Sequence, residues 1–216
     1  MIPSTFVSNQ KQTMKTKLND FFEGKAVQYD QEVARSKNVS NIAQLILKEI
    51  AFKPDMMLMD FGSGTGLLLS EMAPHVSKIT AIDISKSMNE VLESKKQSID
   101  CELEILEMDL TKEPLDRQFD GIISSMTIHH IKDISNLFEK FYQMLPVNGS
   151  IALSDLDTED GSFHKENTGV HHFGFDRDVF YNTAKNAGFR NLKIQTVGLV
   201  EKTYGKYPVF LLTGVK

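Results

Sequence analysis

The stretch that decides the fold is Met56-Met57-Leu58-Met59-Asp60-Phe61-Gly62-Ser63-Gly64-Thr65-Gly66-Leu67-Leu68. An apolar run that is bounded by turn residues and ends in Asp60 is typical of a strand buried on both faces. Glycine has no Cβ and adopts positive φ readily, so the three alternate glycines let a ligand approach the backbone closely. A helix that begins near Gly66 would point its first N–H groups into the same space. The stretch therefore predicts a strand, a loop and a helix that hold a small polar molecule.

The spacing of the glycines restricts which kinds of ligand the loop is expected to bind. The dinucleotide fingerprint needs glycine at its first, third and sixth positions, but the sixth position counted from Gly62 is Leu67. A P-loop would end in Gly-Lys-Ser or Gly-Lys-Thr, and this loop does not. What remains is Asp-x-Gly-x-Gly-x-Gly, in which Asp60 precedes the first glycine by two positions. A carboxylate at that position would repel a pyrophosphate but attract a cation.

Two further carboxylates follow predicted strands. A short β-like stretch ends in Asp83, 17 residues after Gly66, which is the distance at which a βαβ unit returns the chain to the neighbouring strand end. A carboxylate there can accept hydrogen bonds from both vicinal hydroxyls of a ribose, or it can favour the dipole of the next helix. Residues 102–109 alternate polar and apolar, as a half-exposed strand does, and end in Asp109. With Asp60, three successive strands end in a carboxylate, which indicates one extended ligand.

The loop and the two later carboxylates resemble the cofactor motifs of class I S-adenosylmethionine-dependent methyltransferases. The resemblance implies an α/β fold with a doubly wound, mostly parallel seven-stranded sheet of order 3-2-1-4-5-7-6, an antiparallel last strand and helices on both faces. It implies S-adenosylmethionine as the cofactor, with Asp60 near its amino group, Asp83 at the ribose and Asp109 at the exocyclic amine of adenine. The other cofactor contacts expected from it are Gly62, Ser63, Gly64, Gly66, Ile84, Met88, Leu110 and Ser125.

The resemblance covers most of the chain and sets the expected domain organisation. Residues 38–216 are predicted to form the S-adenosylmethionine-binding domain, and residues 1–37 an N-terminal tail and cap segment. Apolar residues at spacings of three and four predict a helix from position 38, capped by Asn38 or Ser40. In the family, the segment ahead of this helix often covers the cofactor or the acceptor, which makes Tyr29 and Asp30 candidates for such a cover, with packing of the aromatic ring on the core as the alternative.

Several histidines are expected on the side of the pocket that binds the methyl acceptor. In the family, the loop after the fourth strand lies beside the transferred methyl group, which makes His129 and His130 candidates for acid–base work, with shaping of the pocket as the alternative. Residues 155–174 show no periodicity and follow the fifth strand, so we expect a lid or acceptor loop there. The expected substrate-side contacts are Tyr29, His130, His171 and His172. No metal is expected, because the histidines do not match a zinc spacing.

The composition is that of an ordinary globular protein. The 216 residues are 41% hydrophobic and 25% charged, and the net charge of −5 gives no attraction to nucleic acid or to an anionic membrane. Cys101 is the only cysteine, so an intrachain disulfide is excluded. No apolar stretch approaches the ~20 residues that span a bilayer, and the first residues lack the pattern of a signal peptide. We therefore expect a cytoplasmic protein; the sequence does not predict its oligomeric state.

These observations predict a methyltransferase that uses S-adenosylmethionine and acts on a small-molecule acceptor by in-line methyl transfer. The fourth strand is not followed by an Asn-Pro-Pro-Tyr-type tetrapeptide, the pattern of enzymes that methylate planar amino groups in DNA or glutamine. The alternatives are a protein methyltransferase and a non-catalytic S-adenosylmethionine-binding partner subunit, because methyl transfer depends on positioning and has no signature nucleophile. A nicotinamide-dependent oxidoreductase is disfavoured by Leu67 at the third glycine position. Whether O, N, S or C is methylated is not predicted.

Overall fold

The computed structural model describes residues 20, 23–24, 26, 30, 33–164 and 168–216, with the backbone alone at positions 33 and 34. Helices and strands alternate through most of this part of the chain. The helices are α1 (Val33–Glu49), α2 (Leu67–Met72), α3 (Lys86–Lys95), α4 (Ile134–Met144) and α5 (Arg177–Asn186). The strands are β1 (Met57–Phe61), β2 (Lys78–Asp83), β3 (Glu102–Glu107), β4 (Gly121–Ser125), β5 (Ser150–Leu156), β6 (Arg190–Lys202) and β7 (Gly205–Val215). Short 3-10 turns lie at Ala73–His75, Lys96–Ser98 and Ile128–His130.

The strands form one seven-stranded sheet in the order β3-β2-β1-β4-β5-β7-β6. Strands β1 to β5 pair in parallel, and β7 lies antiparallel between β5 and β6. Parallel neighbours are joined by crossovers that place helices on the faces of the sheet. The order reverses between β1 and β4, and in open α/β sheets the crevice beyond the strand ends at such a point binds ligands. The sheet order and the antiparallel last strand confirm the predicted fold class.

Strand β1 is buried between two apolar layers. Leu58 packs in one layer with Ile46 of α1, whereas Met59 packs in the other with Phe138 of α4. Successive side chains of a strand point to opposite faces, so a continuous apolar run fills both layers at once. From Leu58 to the end of the strand every side chain is buried, as the sequence predicted.

Helix α1 begins earlier than the sequence predicted. It starts at Val33, so Asn38 and Ser40 lie inside the helix and do not cap it. Asn38 is buried, and its Oδ1 lies so close to Gly198 of β6 that a Cβ at that glycine would overlap it. The apolar spacing begins only at Ile42, which is why the first turns of the helix carried no signal. The predicted division between positions 37 and 38 falls inside α1.

The C-terminal half of the sheet also differs from the prediction. Strand β5 continues to Leu156, so Asp155 belongs to a buried strand and not to the following loop. The sequence predicts strands at 192–197 and 209–213 joined by a link over residues 198–208, but most of that link is itself paired, because β6 and β7 form one long hairpin. The link gives no apolar period; an ion pair of 2.8 Å joins Glu201 and Lys206 across the strands. Among the described residues, none of the helices is both long and apolar enough to cross a membrane.

Candidate active site

The glycine loop turns the chain from β1 into α2 beside β4. Gly62, Gly64 and Gly66 all lie in the left-handed region, with φ of 68°, 53° and 83°. A Cβ at Gly62 would overlap the Thr127 side chain, and one at Gly66 would overlap Leu92 of α3. Around Gly64 the described residues leave open space. Packing therefore requires the outer two glycines, while the middle one leaves its backbone accessible to a ligand.

Asp60 lies near the end of β1, where burial disfavours its ionised form. Its side chain is 1% exposed, and its Oδ2 has no hydrogen-bond partner among the described residues. Burial, with a smaller contribution from the charge of Asp83, raises the pKa of Asp60 to about 8. A buried, unpaired carboxylate oxygen is expensive, so an entering cation would be strongly stabilised there. The position therefore fits a ligand ammonium group.

Asp83 ends β2 on the other side of the loop. Its Oδ2 accepts a hydrogen bond from the Gly64 N–H at 2.8 Å, and its Oδ1 accepts one from the Ser85 N–H at 2.8 Å. Burial raises the pKa of Asp83, although these backbone hydrogen bonds oppose the shift. Each oxygen keeps a second lone pair. The carboxylate is thus held in place by the loop and can still accept hydrogen bonds from two hydroxyls.

Beyond Asp83, the side of the site is formed by apolar side chains and a further carboxylate. Ile84 is 45% exposed, while Met88 and Leu110 are buried, and all three line the same cleft. Asp109 lies two residues beyond the end of β3; its Oδ1 accepts from Thr111, and its Oδ2 pairs with a lysine at 2.7 Å. Burial alone would raise the pKa of Asp109, but its hydrogen bonds together hold the pKa below its ordinary value. An apolar wall beside an ionised acceptor suits a flat, amine-bearing ring.

The described residues ahead of α1 contact this site. Asp30 accepts a hydrogen bond from Thr65 Oγ1 at 2.5 Å and pairs with Lys95, whose Nζ donates to the Thr65 carbonyl at 2.8 Å. Asp20 accepts from the Ser85 hydroxyl at 2.8 Å. Tyr29, the predicted cover residue, lies outside the described residues. Asp30, the other candidate for the cover, contacts the loop through Thr65, which lies 35 residues further along the chain.

His129 and Asp155 form a buried pair at the ends of β4 and β5. The His129 ring contacts Asp155 through Nδ1 at 2.7 Å, and the His129 backbone N–H donates to the other carboxylate oxygen at 3.1 Å. The Leu156 N–H also donates to Asp155, at 2.8 Å. Because an ionised carboxylate only accepts, we assign the ring proton to Nδ1. The opposite nitrogen, Nε2, is buried and has no hydrogen-bond partner among the described residues.

Two further histidines surround His129. The ring centroids of His130 and His164 lie 4.3 and 5.0 Å from that of His129. Burial, followed by the neighbouring histidine charges, lowers the pKa of each of these two residues to about 4. Both rings are therefore neutral near pH 7. They give this end of the cleft a polar but uncharged wall.

The described part of residues 155–174 packs against this cluster. The backbone N–H groups of His171 and His172 donate to the His129 carbonyl at 2.9 and 3.1 Å. His171 is exposed and lines the cleft, but His172 does not; its Nε2 is hydrogen-bonded to the Ile131 carbonyl at 2.9 Å. The prediction of His172 as a substrate contact therefore disagrees with its position. Within 33–164, 168–216 and the few described residues before them, no group of three or more His, Cys, Asp or Glu side chains is arranged to hold a metal ion.

One cleft of about 1160 Å³ is lined by the carboxylates Asp60, Asp83 and Asp109 and by the histidines His129, His130 and His164. Pockets for single small ligands are commonly ~300–1,000 Å³, so this cleft has room for a cofactor and an acceptor together. Gly66 does not line the cleft because it packs against α3 instead of facing a ligand. The other predicted cofactor and histidine positions that line it are Asp60, Gly62, Ser63, Gly64, Asp83, Ile84, Met88, Asp109, Leu110, Ser125, His129, His130 and His171.

Asp155 and His164 are the main residues that the site prediction missed. Asp155 follows a predicted strand, as Asp60 and Asp83 do, so the same strand-end argument applied to β5 would have found it. His164 carried no such signal, because its place beside His129 depends on the path of the loop after β5. Ser63 and Ser125 were predicted, and each has a buried hydroxyl oxygen without a partner among the described residues, as expected for groups that face a bound molecule.

Comparisons with known proteins agree with this geometry. Residues 31–194 match the sequence profile of a family described as methyltransferase domain. An uncharacterized methyltransferase of Schizosaccharomyces pombe is 31% identical over 66% of this chain and 56% of its own length. A malonyl-[acyl-carrier protein] O-methyltransferase of Bacillus cereus is 28% identical over 67% of this chain and 54% of its own length. The chain thus spans little more than half the length of these two relatives.

The fold has a counterpart among solved structures. Phosphoethanolamine N-methyltransferase 2 of Haemonchus contortus, solved with phosphomonomethylethanolamine and S-adenosylhomocysteine, superposes with a TM-score of 0.70 at 18% identity, over 91% of this chain and 59% of that one. The fold and site define the class of S-adenosylmethionine-dependent methyltransferases. Since the family profile matches most of its length, this chain belongs to the methyltransferase-domain family. The predicted family, fold and cofactor, S-adenosylmethionine, are confirmed.

Proposed function

We propose that this chain transfers the methyl group of S-adenosylmethionine to a small-molecule acceptor. The observation that supports this most directly is the single cleft in which the glycine loop and the strand-end carboxylates share a space with the histidine cluster. When bound, the cofactor supplies a methyl group on a positively charged sulfur, which needs no further activation. The acceptor half of the cleft lies beyond β4 and β5. It is enclosed by side chains of several elements, which suits a small group more than an extended polymer.

Each cofactor residue has a proposed role that follows from its surroundings. Asp60 stabilises the ammonium of the methionine part, because its buried oxygen has no partner among the described residues. Asp83 accepts the ribose hydroxyls, and Asp109 accepts the exocyclic amine of adenine. Ile84 and Leu110 pack on the adenine ring. Positioning of two reactants in one site contributes up to ~7–11 kcal/mol to catalysis, so these contacts carry much of the proposed activity.

The relatives support a small acceptor only in general terms. The Bacillus cereus protein is named for methyl transfer to a malonyl group on a carrier protein, so its reacting group is small even though it is presented by a protein. Two acidic residues at and just beyond the end of β5 are already paired: Asp155 with His129 and Asp157 with Arg177, the latter at 2.6 Å.

The cofactor roles are tested by binding. We expect S-adenosylhomocysteine to raise the melting temperature, and Asp83→Ala to weaken its binding ~10-fold or more, because hydrogen bonds to a charged group contribute about 1.5–3 kcal/mol. Asp116→Ala, an exposed carboxylate outside the cleft, is the matched control and should bind normally. Calorimetry measures both affinities. Stabilisation by NAD alone, or equal binding by Asp83→Ala, would contradict the proposed site.

The acceptor class is tested by following the methyl group. The protein is incubated with a cell extract and S-adenosylmethionine that carries a tritiated methyl group, and the extract is then separated by size. We expect label in the low-mass fraction. Label that remains in intact proteins after nuclease treatment would show a protein acceptor instead.

A further inference from the structure

The most informative group in the acceptor half is the unpartnered ring nitrogen of His129. The residue is 1% exposed, and its Nε2 is buried without a hydrogen-bond partner among the described residues, although the residue lines the cleft. A buried acceptor that is left unpaired destabilises the folded protein. Such a cost is explained if a ligand donates a hydrogen bond to Nε2.

Asp155 determines which ring nitrogen of His129 is left with a free lone pair. It lies opposite Nδ1 at 2.7 Å and is itself 0% exposed. Backbone N–H groups of His129 and Leu156 hold its two oxygens in place. A carboxylate on Nδ1 keeps the proton on that side, leaves Nε2 with its lone pair and stabilises the charge that the ring gains when Nε2 takes a proton. The pair therefore has the arrangement of a base that is oriented by a carboxylate.

The other histidines of the cluster are less suited to this task. Burial and neighbouring histidines lower the pKa of His130 and His164 to about 4, so both are weak proton acceptors near neutral pH. His130 also has its ring hydrogen-bonded to the backbone of Gly169. His164 contacts Thr168 through Nδ1 at 3.3 Å and has no carboxylate partner among the hydrogen bonds and ion pairs of the described residues. His129 is thus distinguished by its contact with Asp155.

We propose that His129 is the general base of the reaction, that Asp155 is its positioning residue, and that the acceptor atom carries a proton, as in a hydroxyl or an amine. The inference rests on the proposed methyl transfer and narrows its substrate class. A carboxylate acceptor is ionised at neutral pH and needs no base, so it would leave this pair without a role.

The acceptor atom uses its lone pair to form a bond to the methyl carbon, and the carbon–sulfur bond breaks with its electron pair on sulfur. The proton of the acceptor atom moves to His129 Nε2, which makes the ring an imidazolium. Asp155 balances this charge at Nδ1, and the proton leaves to solvent when the product departs. The overall change is one methyl group gained and one proton lost by the acceptor.

The first test needs no acceptor. In the S-adenosylhomocysteine complex, ¹⁵N NMR of the histidine rings should show the neutral form of His129 as the Nδ1–H tautomer. In Asp155→Asn, we expect a mixture of tautomers or the Nε2–H form, because an amide can either donate or accept. An Nε2–H tautomer of the neutral ring in the wild type, or a tautomer that Asp155→Asn leaves unchanged, would overturn the assignment.

The second test measures the reaction with matched acceptor pairs. Each pair is a hydroxyl or amine compound and the carboxylate of the same skeleton, and tritiated methyl transfer is counted. We expect label on the hydroxyl or amine member, and His129→Gln should lower kcat by about 100-fold or more, since general base catalysis contributes ~10²–10⁴-fold. His75→Gln, an exposed histidine outside the cleft, is the control. Preferred transfer to carboxylates, or undiminished kcat in His129→Gln, would overturn the inference.

Calorimetry separates failure of this inference from failure of the proposed function. His129→Gln and Asp155→Asn should bind S-adenosylhomocysteine with wild-type affinity, which also shows that both variants fold. If the wild-type chain itself does not bind the cofactor, the proposed function fails. If it binds and transfers methyl groups while His129→Gln keeps full activity, only the base assignment fails.

Discussion

At the scale of single residues, Asp60 shows how burial prepares a site for a charged ligand. Its carboxyl group lies in the buried part of β1, next to the last residue of the strand, and its Oδ2 has no partner among the described residues. Desolvation penalises the ionised form and raises the pKa of Asp60 to about 8. A ligand cation would reverse that penalty, because an opposite charge at short range favours the carboxylate. At pH 7 the Asp60 carboxyl group is therefore mostly protonated in the free protein, and it would be ionised in a complex with a ligand cation.

Cofactor binding should consequently release a proton from Asp60 below pH 8. Calorimetry at pH 7 in two buffers of different ionisation enthalpy gives the number of protons released, and we expect close to one. Asp60→Asn cannot ionise, so the release should disappear in that variant while Asp116→Asn retains it. Equal proton release by Asp60→Asn and the wild type would show that the proton comes from elsewhere.

At the scale of elements, the last turn of α3 is tied to the glycine loop. Lys95 ends α3, and its Nζ donates to the Thr65 carbonyl at 2.8 Å and pairs with Asp30. One lysine thus joins a helix, the loop after β1 and a residue ahead of α1. The loop also contacts β4, because Thr127 Oγ1 donates to the Gly62 carbonyl at 3.1 Å. The loop conformation therefore depends on several elements and not on its glycines alone.

Removal of this lysine should weaken cofactor binding. We expect Lys95→Met to lower the affinity for S-adenosylhomocysteine about fivefold, or about 1 kcal/mol, which is below the range for buried charged hydrogen bonds because the side chain is 28% exposed. Lys96→Met is the control, since the Lys96 side chain is 42% exposed and its ion pair with Glu93, at 3.6 Å, does not involve the loop. Isothermal titration measures both affinities. An affinity loss of the same size in the two variants would remove the special role of Lys95.

At the scale of the whole molecule, the sheet brings the cofactor carboxylates and the histidine cluster to one edge. The carboxylates Asp109, Asp83 and Asp60 lie at or just beyond the ends of β3, β2 and β1. The histidine cluster follows the neighbouring β4, and Asp155 lies near the end of β5. The enclosure of His130 and His164 lowers both pKa values to about 4. The folded protein therefore binds fewer protons at these sites than the unfolded chain between pH 6.5 and 4.

This difference predicts a loss of stability in acid. Since the unfolded state binds more protons in that range, the free energy of unfolding falls as the pH drops from 6.5 towards 4. The charged and titratable groups around the two rings are His129, Asp155, His171 and Lys202. Asp60 and Asp83, whose pKa values are raised, have the opposite effect on stability. Urea unfolding at pH 7 and pH 5 should show a smaller decrease for the double variant His130→Gln, His164→Gln than for the wild type. An identical decrease would contradict the lowered pKa values.

The sequence by itself determined the local units and their chemistry. The apolar run, Asp60 and the alternate glycines predicted strand, loop and helix, because strand burial and positive φ are properties of neighbouring residues. The spacing to Asp83 and the alternation before Asp109 likewise placed both carboxylates near strand ends. The resemblance that these residues carry supplied the sheet order. The start of α1 and the β6–β7 hairpin were missed because their polar residues carry no apolar period.

Only the tertiary structure decided which of these groups meet. His129 and Asp155 are 26 residues apart, and Asp30 and Lys95 are 65 apart. Their contacts depend on the pairing of β4 with β5 and on the path of the chain ahead of α1. The sequence shows that a histidine follows β4, but the orientation of its ring and the burial of its free nitrogen result from packing between distant segments. For that physical reason the sequence could place the carboxylates of β1 and β2 near strand ends, whereas it could not show that Asp155 and His129 form a pair.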